Sequence, residues 1–567
     1  MKSVNRREFL KIGGTGLAGL TLTGLNIPIF APKRAFAKSS GSAWKFGVMA
    51  DTQWKTGIYN GIPVEDPASC ATTIIDALNE QFIQHGCKFV IQVGDLVDKE
   101  LVDGTRTLPT REEHARALYS NGIGFFPVRG NHEASAVAAN EMPILFPQTL
   151  GQGPHLFGAD NVESPVLSVP YSASDSLKGL TYMFDFNNVR CVLIDQFVRA
   201  DGSNYNGAKS YAYNAVDQVA WVDSALSANG GDRHAFVFAH KNLIGQNHKD
   251  NLFGNALTDN PEARDYFLES LHNNGVRYYL SGHDHMHHYS RVTSGGDGAF
   301  GVGQIICASN SYKFYIPREG DDDREIPFDQ ELFSIGYYIF TVDGPRVTVD
   351  FYASSHGFDY SDVSLSAPPS PLYFYLRDTF GYSLNGDAFE VARGESYTRV
   401  AGSYKNTNVR ILAGKNGNNE TDYVGRPLSK FVTTGWTDSD SVDGAVSHIL
   451  SLWGMTDNLS LYDEALEGML PDENESRETD IYTLSMTCNA LKDQSGKNHK
   501  NFCLAARSES GWVNAVDANY GGSENFVRGP WRDGYGLGTW GIDADSVWAV
   551  INHDGDFAVM PIAAVEK

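Results

Sequence analysis

KFVIQVGDLVD (residues 88–98) is a mostly apolar run that stops at a glycine and an aspartate, with a second aspartate three residues later. A short, nearly continuous apolar run of this kind is typical of a strand buried on both faces of a parallel sheet. The same arrangement occurs in KFGVMADTQ (residues 45–53) and in GFFPVRGNHE (residues 124–133). We therefore predict three buried strands, each followed directly by polar residues.

Segments with helical periodicity alternate with these strands. Apolar residues recur at helical spacing in residues 69–85 and 110–120, between the three predicted strands. Further along, the pattern predicts strands over 190–195, 234–239 and 276–281, and helices over 214–228 and 261–273. This alternation indicates an α/β layered fold.

The pattern changes after about residue 300, where short strands and turns replace helices. Residues 337–342 and 346–352, joined around Asp343-Gly344, predict a hairpin that completes the first domain. The sequence SAPPSP (residues 366–371) is typical of a linker. We therefore predict a first domain over 38–365 and a mostly β domain over 372–567, in which only residues 445–453 look helical.

The composition excludes some classes of protein. The chain has 567 residues and is 42% hydrophobic, which excludes wholesale disorder. With 45 basic and 69 acidic residues, its formal net charge is −24. Long-range repulsion from phosphates therefore argues against nucleic acid as the main partner, although a bound cation would still allow a small phosphorylated ligand.

The first residues resemble a twin-arginine export signal. Arg6-Arg7 precedes an uncharged stretch over 12–31, and Ala35-Phe36-Ala37 offers small residues for cleavage. This predicts a signal peptide over 1–37, the twin-arginine export machinery as a partner, and a periplasmic or otherwise exported protein. A permanent membrane anchor is the alternative, and the threonines and prolines of the stretch argue against it.

Six cysteines occur, none of them in a CxxC pattern, so a zinc knuckle or redox dithiol is not supported. An exported protein can form disulfides, and Cys488 and Cys503, which flank a polar loop over 492–501, are the favoured pair. Buried free thiols are the alternative for the others.

Five of the predicted strands end in side chains that can bind metals or transfer protons. Burying several such ionisable groups without compensation costs several kcal/mol each, a cost that divalent cations would remove. The carboxyl ends of parallel strands are also where open α/β sheets place their sites. The residues concerned are Asp51 and Gln53, Asp95 and Asp98, Asn131 and His132, His240, and His283 and His285.

The order and strand context of these motifs, over roughly residues 45–352, resemble the calcineurin-like metallophosphoesterase family. The resemblance implies two mixed β-sheets flanked by helices, an α+β sandwich, with two metal ions at the strand ends. It implies that Asp51 and His285 hold the first ion and that Asp95 bridges both. It places Asn131, His240 and His283 on the second ion.

The resemblance also assigns the remaining residues of the site. Gln53 stands where the family usually has histidine, and its oxygen is a harder, weaker ligand of the first ion. His132 would stabilise the phosphoryl group or protonate the leaving oxygen, Asp98 would support His132 or an adjacent backbone group, and a hydroxide activated by the metals would be the nucleophile. Mixed nitrogen and oxygen ligation suits Mn, Fe, Zn or Ni, and Gln53 favours Mn.

These residues predict an exported phosphoesterase that acts on a small phosphate mono- or diester. Local similarity to manganese-dependent hydrolases of nucleoside diphosphate derivatives, such as ADP-ribose and CDP-alcohols, leaves a pyrophosphatase as an alternative. A non-catalytic metal-binding or interaction protein is a third possibility, against which the presence of His132 argues.

His287 and His288 extend the last motif, either as supporting residues or as ligands of a third ion. The tail aromatics, Trp531, Tyr535, Trp540 and Trp548, form either a β-domain core or a carbohydrate platform.

Overall fold

A computed structural model describes most of the chain, with gaps. The described residues are 43–53, 58–59, 62–63, 71–98, 100–102, 105–165, 177–198, 213–229, 233–295, 298–311, 313–318, 324–355, 372–391, 399–404, 407–414, 421–437, 444–455, 460–461, 478–487, 491, 501–508 and 511–565. The predicted signal peptide and the predicted linker over 366–371 lie outside them. Five α-helices are described: α1 (Ala71–Gln84), α2 (Leu108–Ser120), α3 (Ala136–Leu145), α4 (Val219–Ser227) and α5 (Pro261–Asn273).

Strands account for most of the other regular structure. The first eighteen are β1 (Trp44–Met49), β2 (Ile58–Tyr59), β3 (Ile62–Pro63), β4 (Phe89–Val93), β5 (Leu101–Val102), β6 (Thr105–Arg106), β7 (Gly124–Val128), β8 (Asp160–Glu163), β9 (Tyr182–Phe186), β10 (Val189–Ile194), β11 (His234–Ala239), β12 (Tyr278–Ser281), β13 (His287–Thr293), β14 (Gly301–Ile306), β15 (Glu325–Glu331), β16 (Ser334–Asp343), β17 (Arg346–Ser355) and β18 (Tyr375–Ser383). The remainder are β19 (Ala388–Val391), β20 (Arg399–Tyr404), β21 (Thr407–Gly414), β22 (Lys430–Thr437), β23 (Ile449–Trp453), β24 (Ser460–Leu461), β25 (Glu478–Thr487), β26 (Phe502–Arg507), β27 (Trp512–Asn514), β28 (Asn525–Arg528), β29 (Thr539–Ile542), β30 (Ser546–His553) and β31 (Gly555–Pro561).

Two large mixed sheets form the first part of the molecule. Sheet one has the order β18-β17-β16-β1-β4-β7, and sheet two has the order β24-β15-β13-β14-β12-β11-β10-β9-β8. In sheet one, β4 is parallel to both β1 and β7, and in sheet two β11 is parallel to β12. Parallel pairing brings the carboxyl ends of these strands to one edge of each sheet.

Apolar side chains fill the space between the two sheets and cover their outer faces. Phe46 and Ile91 of sheet one share a core with Phe184, Phe236 and Leu280 of sheet two. A second core lies under α1 and α2, and a third lies under α4 and α5. The predicted α+β sandwich of two mixed sheets flanked by helices is therefore confirmed.

The C-terminal region is mostly β, as predicted. One six-stranded sheet has the order β19-β22-β23-β31-β26-β27, a second has the order β20-β21-β25-β30-β29-β28, and apolar side chains from both form a core. Trp540 and Trp548 are buried, and Trp548 stacks on Tyr535 with ring centroids 5.4 Å apart. These tryptophans thus belong to the interior of the β region.

The helix predicted over residues 445–453 is wrong. Residues 449–453 form β23, which pairs with β22 and β31. A short apolar run fits a buried strand as well as a helix, and its two neighbouring strands decide the outcome here.

The two parts of the chain share a sheet. The first strand after the predicted linker, β18, pairs antiparallel with β17 and so forms the edge of sheet one. The short strand β24 pairs in turn with β15 of sheet two. The C-terminal region is therefore attached to the sandwich by backbone hydrogen bonds as well as by side chains.

The structure bears on two further features, the cysteines and the possibility of a membrane-spanning helix. Cys503 is a buried free thiol, which does not support the predicted bridge, and Cys488 lies outside the described residues. Among the helices that the structure describes, none is long and apolar enough to cross a membrane.

His234 is a buried histidine that contacts β18 and should make the stability of the fold depend on pH. Its Nδ1 lies 2.9 Å from the Tyr382 hydroxyl of β18, and its Nε2 lies 2.8 Å from the carbonyl oxygen of Gly344. Burial, reinforced by Arg277, lowers the pKa of His234 to about 4. Between pH 6.5 and 4 the unfolded chain therefore binds a proton here that the folded chain does not, and stability falls as the pH falls, by up to about 3 kcal/mol.

We expect His234→Gln to reduce this loss of stability by a corresponding amount. The measurement is the free energy of unfolding in urea, at several pH values between 7 and 4, for both proteins in the same buffer. Parallel pH profiles for the two proteins would show that His234 does not carry the effect.

Candidate metal centre

Five strand ends meet at one edge of the sandwich. β1 leads into Asp51 and Gln53, β4 into Asp95, β7 into Asn131 and His132, β11 into His240, and β12 into His283 and His285. In the described part of the chain, one ligand atom from each of Asp51, Asp95 and His240 lies within 4.8 Å of the other two. The sequence motifs, which span more than 230 residues, thus lie in one cluster.

Asp95 lies in the middle of the cluster. Its Oδ1 accepts a hydrogen bond from the His132 backbone N–H at 3.1 Å and is 3.3 Å from His240 Nε2. Its Oδ2 accepts a hydrogen bond of 2.6 Å from Gln53 Nε2. Asp95 therefore contacts residues that the resemblance assigns to both metal ions.

Asp51 contacts the motif that follows β12, which contains His283 and His285. Its carboxylate accepts from the His283 backbone N–H, with both oxygens at 3.1 Å, and Oδ1 is 3.4 Å from His285 Nε2. On the other side of Asp95, Asn131 Oδ1 is 2.9 Å from His240 Nε2. The rings of His240 and His283 lie 5.1 Å apart. All seven predicted ligands thus lie in or against one cluster.

The three predicted histidine ligands each have one ring nitrogen facing an acceptor. His240 Nδ1 lies 3.0 Å from the Val93 carbonyl, and His285 Nδ1 lies 2.9 Å from the Lys313 carbonyl. His283 Nε2 lies 3.5 Å from Asp250 Oδ1. A backbone carbonyl can only accept, so it places the proton of His240 and His285 on Nδ1 and leaves Nε2, which faces the aspartates of the cluster, with the lone pair that a metal ligand requires.

The electrostatics of the cluster also suit cations. Burial, and then the charge of Asp95, raise the pKa of Asp51 well above its ordinary value. Burial lowers the pKa of His240 to about 4 and lowers that of His285 well below its usual range. Two facing carboxylates with neutral imidazoles around them form a site that divalent cations would stabilise.

The backbone at these residues is unusual. Asp51, Asp95, His283 and His285 all have positive φ, with values of 50°, 46°, 72° and 55°. Each such conformation costs a non-glycine residue about 1–2 kcal/mol. Strain of this kind is concentrated at functional sites, where the surrounding structure enforces it.

Two motif glycines allow close approach to the carboxylates. A Cβ atom at Gly130 would overlap Oδ1 of Asp95, and a Cβ atom at Gly282 would overlap Oδ2 of Asp51. Glycine is therefore required at both positions by the aspartate that lies against it.

His132 lies at the open side of the cluster. Its Nδ1 is 2.5 Å from the backbone carbonyl of Asp98, and its side chain is 25% exposed. The Asp98 carboxylate lies 3.8 Å from the same nitrogen and forms a 2.5 Å ion pair with Lys313. His132 is thus oriented mainly by the backbone of Asp98, while the Asp98 side chain holds Lys313.

Lys313 is a residue that the sequence analysis missed. Its Nζ lies 3.4 Å from His132 Nε2, and its backbone carbonyl orients His285. It follows β14 in a loop that carries no motif, so no pattern in the sequence marks it. The loop is attached to the site by Asn310, whose side chain donates to the Ala50 carbonyl at 3.0 Å.

Two acidic residues to which the sequence analysis assigns no role, Asp250 and Asp284, contact the segments next to His283. Asp250 forms a buried ion pair with Lys241 and lies beside His283. Asp284 accepts hydrogen bonds from Asn242 and from the backbone and ring of His248. His248, His283 and Asp284 form the second group of possible metal ligands in the described residues. The carboxylate of Asp284, however, already accepts hydrogen bonds from Asn242 and His248.

His287 and His288 belong to strand β13. His287 Nδ1 lies 2.8 Å from the Tyr338 hydroxyl, and its ring stacks on Phe351. His288 Nε2 lies 3.1 Å from Glu325. His287 thus packs against β16 and β17 of sheet one, and His288 contacts β15 of sheet two. These contacts do not favour a third metal ion.

Asp250→Asn is expected to weaken binding of the metal ion held by His283. The variant keeps the shape of the side chain but removes the charge that fixes the proton on His283 Nε2. Loss of such an outer partner reduces metal affinity by about 10- to 100-fold. Calorimetric titration of the metal-free protein with Mn²⁺ measures the change.

Asp223→Asn is a matched control for that prediction. Its carboxylate accepts a 2.6 Å hydrogen bond from Ser270 and a 3.2 Å hydrogen bond from Tyr266, between α4 and α5 and away from the site. Equal Mn²⁺ affinities in the two variants would contradict the role given to Asp250.

Comparison with known proteins matches the chain to one family. Residues 45–287 match the sequence model of the calcineurin-like phosphoesterase family. No curated protein matches the chain. Solved structures with a similar chain include a purple acid phosphatase from yellow lupin (Lupinus luteus) seeds, with 12% identity, a TM-score of 0.37 and coverage of 61% of this chain and 55% of that one.

Two other solved structures give comparable values. A dimetal phosphatase from Danio rerio has 15% identity and a TM-score of 0.32, with 54% of this chain and 95% of that chain covered. GAP50, described as the anchor in the inner membrane complex of Plasmodium, has 14% identity and a TM-score of 0.32, with 59% and 88% covered. The match with the lupin enzyme spans about half of that enzyme's length. The matched residues, 45–287, make up less than half of the 567-residue chain, and over them the chain is similar to the calcineurin-like phosphoesterase family.

Proposed function

We propose that this protein is an exported phosphoesterase that uses two divalent metal ions to hydrolyse small phosphate mono- or diesters. The observation that carries the proposal is the arrangement of His132. It does not belong to the groups of side chains suited to hold cations, yet its backbone N–H donates to Asp95 and its ring is partly exposed 3.8 Å from the same carboxylate. A site that only bound metal would have no use for an imidazole in that position.

The chain offers ligands for two ions. Asp51, Gln53 and His285 would hold one, Asn131, His240 and His283 would hold the other, and Asp95 would contact both. When bound, such ions lower the pKa of a water molecule and offset the negative charge of a phosphoryl group. The mixed nitrogen and oxygen ligands favour Mn, Fe, Zn or Ni, and the amide of Gln53 shifts the preference toward Mn.

The side chains at the open face account for the remaining requirements of hydrolysis. Water adds to phosphorus, the bond to the leaving oxygen breaks, and that oxygen must gain a proton. His132 is partly exposed, and its Nε2 lies 3.4 Å from Lys313 Nζ and 3.8 Å from Asp95 Oδ2, so a protonated His132 can supply this proton or a hydrogen bond to a phosphoryl oxygen. Lys313, held by Asp98 beside His132, adds a positive charge for the same oxygens.

Two alternatives remain distinct from this proposal. A pyrophosphatase acting on nucleoside diphosphate derivatives would use the same cluster, and the short motifs around Asp51, Asp95 and His283 support it. A metal-binding protein without turnover would also use the cluster. Export rests on Arg6-Arg7 and the small residues up to Ala37, and the amino-terminal sequence of the mature protein tests it.

The decisive experiment measures metal content and hydrolysis on the same preparation. Metals are determined by elemental analysis, and p-nitrophenyl phosphate, bis-p-nitrophenyl phosphate and ADP-ribose are tested with added Mn²⁺. Hydrolysis of either nitrophenyl ester, abolished by a change at His132, supports the proposal. Turnover confined to ADP-ribose would favour the pyrophosphatase, and no turnover with two ions bound would favour the binding protein.

A further inference from the structure

A turn of the C-terminal region lies on sheet two and contacts the segment that follows His240. This docking turn comprises residues 421–429. The Tyr423 backbone N–H donates to Gln330 Oε1 at 2.8 Å, and the Ser429 backbone N–H donates to the Pro327 carbonyl at 3.0 Å. The turn is thus fixed to β15 by hydrogen bonds at both of its ends.

Arg426 extends from the docking turn to two acceptors on different segments. Asp422 positions the guanidinium, accepting from the Arg426 Nε at 2.6 Å. Nη1 then donates to Glu325 at 2.5 Å, and Nη2 donates to Gln246 Oε1 at 2.7 Å. A planar guanidinium can make these contacts at once, whereas an ammonium group could not reproduce their geometry.

Gln246 connects Arg426 to the metal centre. Its side-chain amide donates to both oxygens of Glu325 at 2.9 Å, and its backbone N–H donates to Asp284 at 2.5 Å. Asp284 lies between His283 and His285 in sequence. The segment that carries Gln246, residues 242–250, also contains Asp250, the carboxylate beside His283.

We infer that Arg426 is a positioning residue by which the C-terminal region holds residues 242–250 against the histidines of the metal centre. The contacts run from Arg426 to Gln246 and from Gln246 to Asp284, each between groups that are buried or nearly so. This gives the C-terminal region a role in the site although it supplies none of the predicted ligands. The inference rests on the proposed metal site.

The test compares two variants that each remove an ion pair between the two parts of the chain. Arg426→Met keeps the apolar stem but removes the guanidinium. Arg346→Met is the matched control, because Arg346 lies at the start of β17 and pairs with Asp556 of β31 at 3.0 Å. The turn before Arg346 lies beyond Trp44, at the amino end of β1 and so at the opposite end of that strand from Asp51.

Two measurements are made on the full-length mature protein. Hydrogen–deuterium exchange follows the peptides that cover residues 242–250, and titration of the metal-free protein gives the Mn²⁺ dissociation constant. We expect Arg426→Met to speed exchange in that segment and to weaken Mn²⁺ binding by about 2- to 30-fold, the range for residues that act on a site without touching its ligand. Arg346→Met should change neither.

The inference is wrong if the two variants give the same exchange in residues 242–250 and the same Mn²⁺ affinity. Arg426→Lys keeps the charge and serves as the test should the methionine variant fail to fold; it should show a smaller change of the same sign, and wild-type behaviour in it would overturn the need for the guanidinium. Exchange requires neither bound metal nor turnover. An inactive wild-type protein would therefore contradict the proposed function while leaving this comparison decisive.

Discussion

Asp95→Asn is expected to abolish both tight metal binding and hydrolysis. Asp95 faces ligands of both proposed ions, since its two oxygens lie against His240 and Gln53. The amide keeps the shape but removes the negative charge that two cations require. Loss of an outer partner already costs about 10- to 100-fold in metal affinity, so loss of the shared carboxylate should cost more than about 100-fold.

Elemental analysis and thermal unfolding measure this result. Ligands that bind only the folded state raise the unfolding temperature, so Mn²⁺ should stabilise the wild-type protein and should not stabilise the variant. Asp185→Asn is the control for loss of a buried carboxylate elsewhere. Asp185 pairs with Arg190 at 2.8 Å in sheet two, and this variant should keep both metals. Two tightly bound ions in Asp95→Asn would contradict the bridging role.

The fold and the clustering of the predicted ligands could be anticipated because both depend on local patterns. An apolar run with little alternation, such as the one before Asp95, is typical of a buried parallel strand, and the polar residues after it mark the carboxyl end. Once several strands are parallel, their ends must meet. The positions of Asp51, Asn131 and His283 follow from that geometry without knowledge of the loops.

The residues that support the site were not predictable in this way. Lys313, Asp250 and Arg426 lie in loops without periodicity, and each acts on a residue far from it in sequence. The helix predicted over 445–453 is wrong because a short apolar run does not distinguish a helix from a strand. The motif HDHMHH (residues 283–288) suggests one cluster, but strand β13 begins at its fifth residue and gives His287 and His288 different partners.

His132→Ala is expected to lower turnover by at least about 100-fold while the metals stay bound. General acid–base catalysis by a positioned side chain contributes about 10²- to 10⁴-fold, and His132 is positioned by the Asp98 carbonyl. The hydrogen bond to Asp95 comes from the backbone of His132, so the substitution leaves it in place. Metal content and the unfolding temperature with Mn²⁺ should therefore match the wild type.

The choice of leaving group separates the two roles open to His132. If His132 protonates the leaving oxygen, its removal should slow phenyl phosphate much more than p-nitrophenyl phosphate, because the phenolate is the more basic leaving group and needs the proton more. If His132 only stabilises the phosphoryl oxygens, as its position beside Lys313 also allows, both esters should slow by the same factor. Unchanged turnover of both esters would remove His132 from the mechanism and leave the metal-binding protein as the better account of this site.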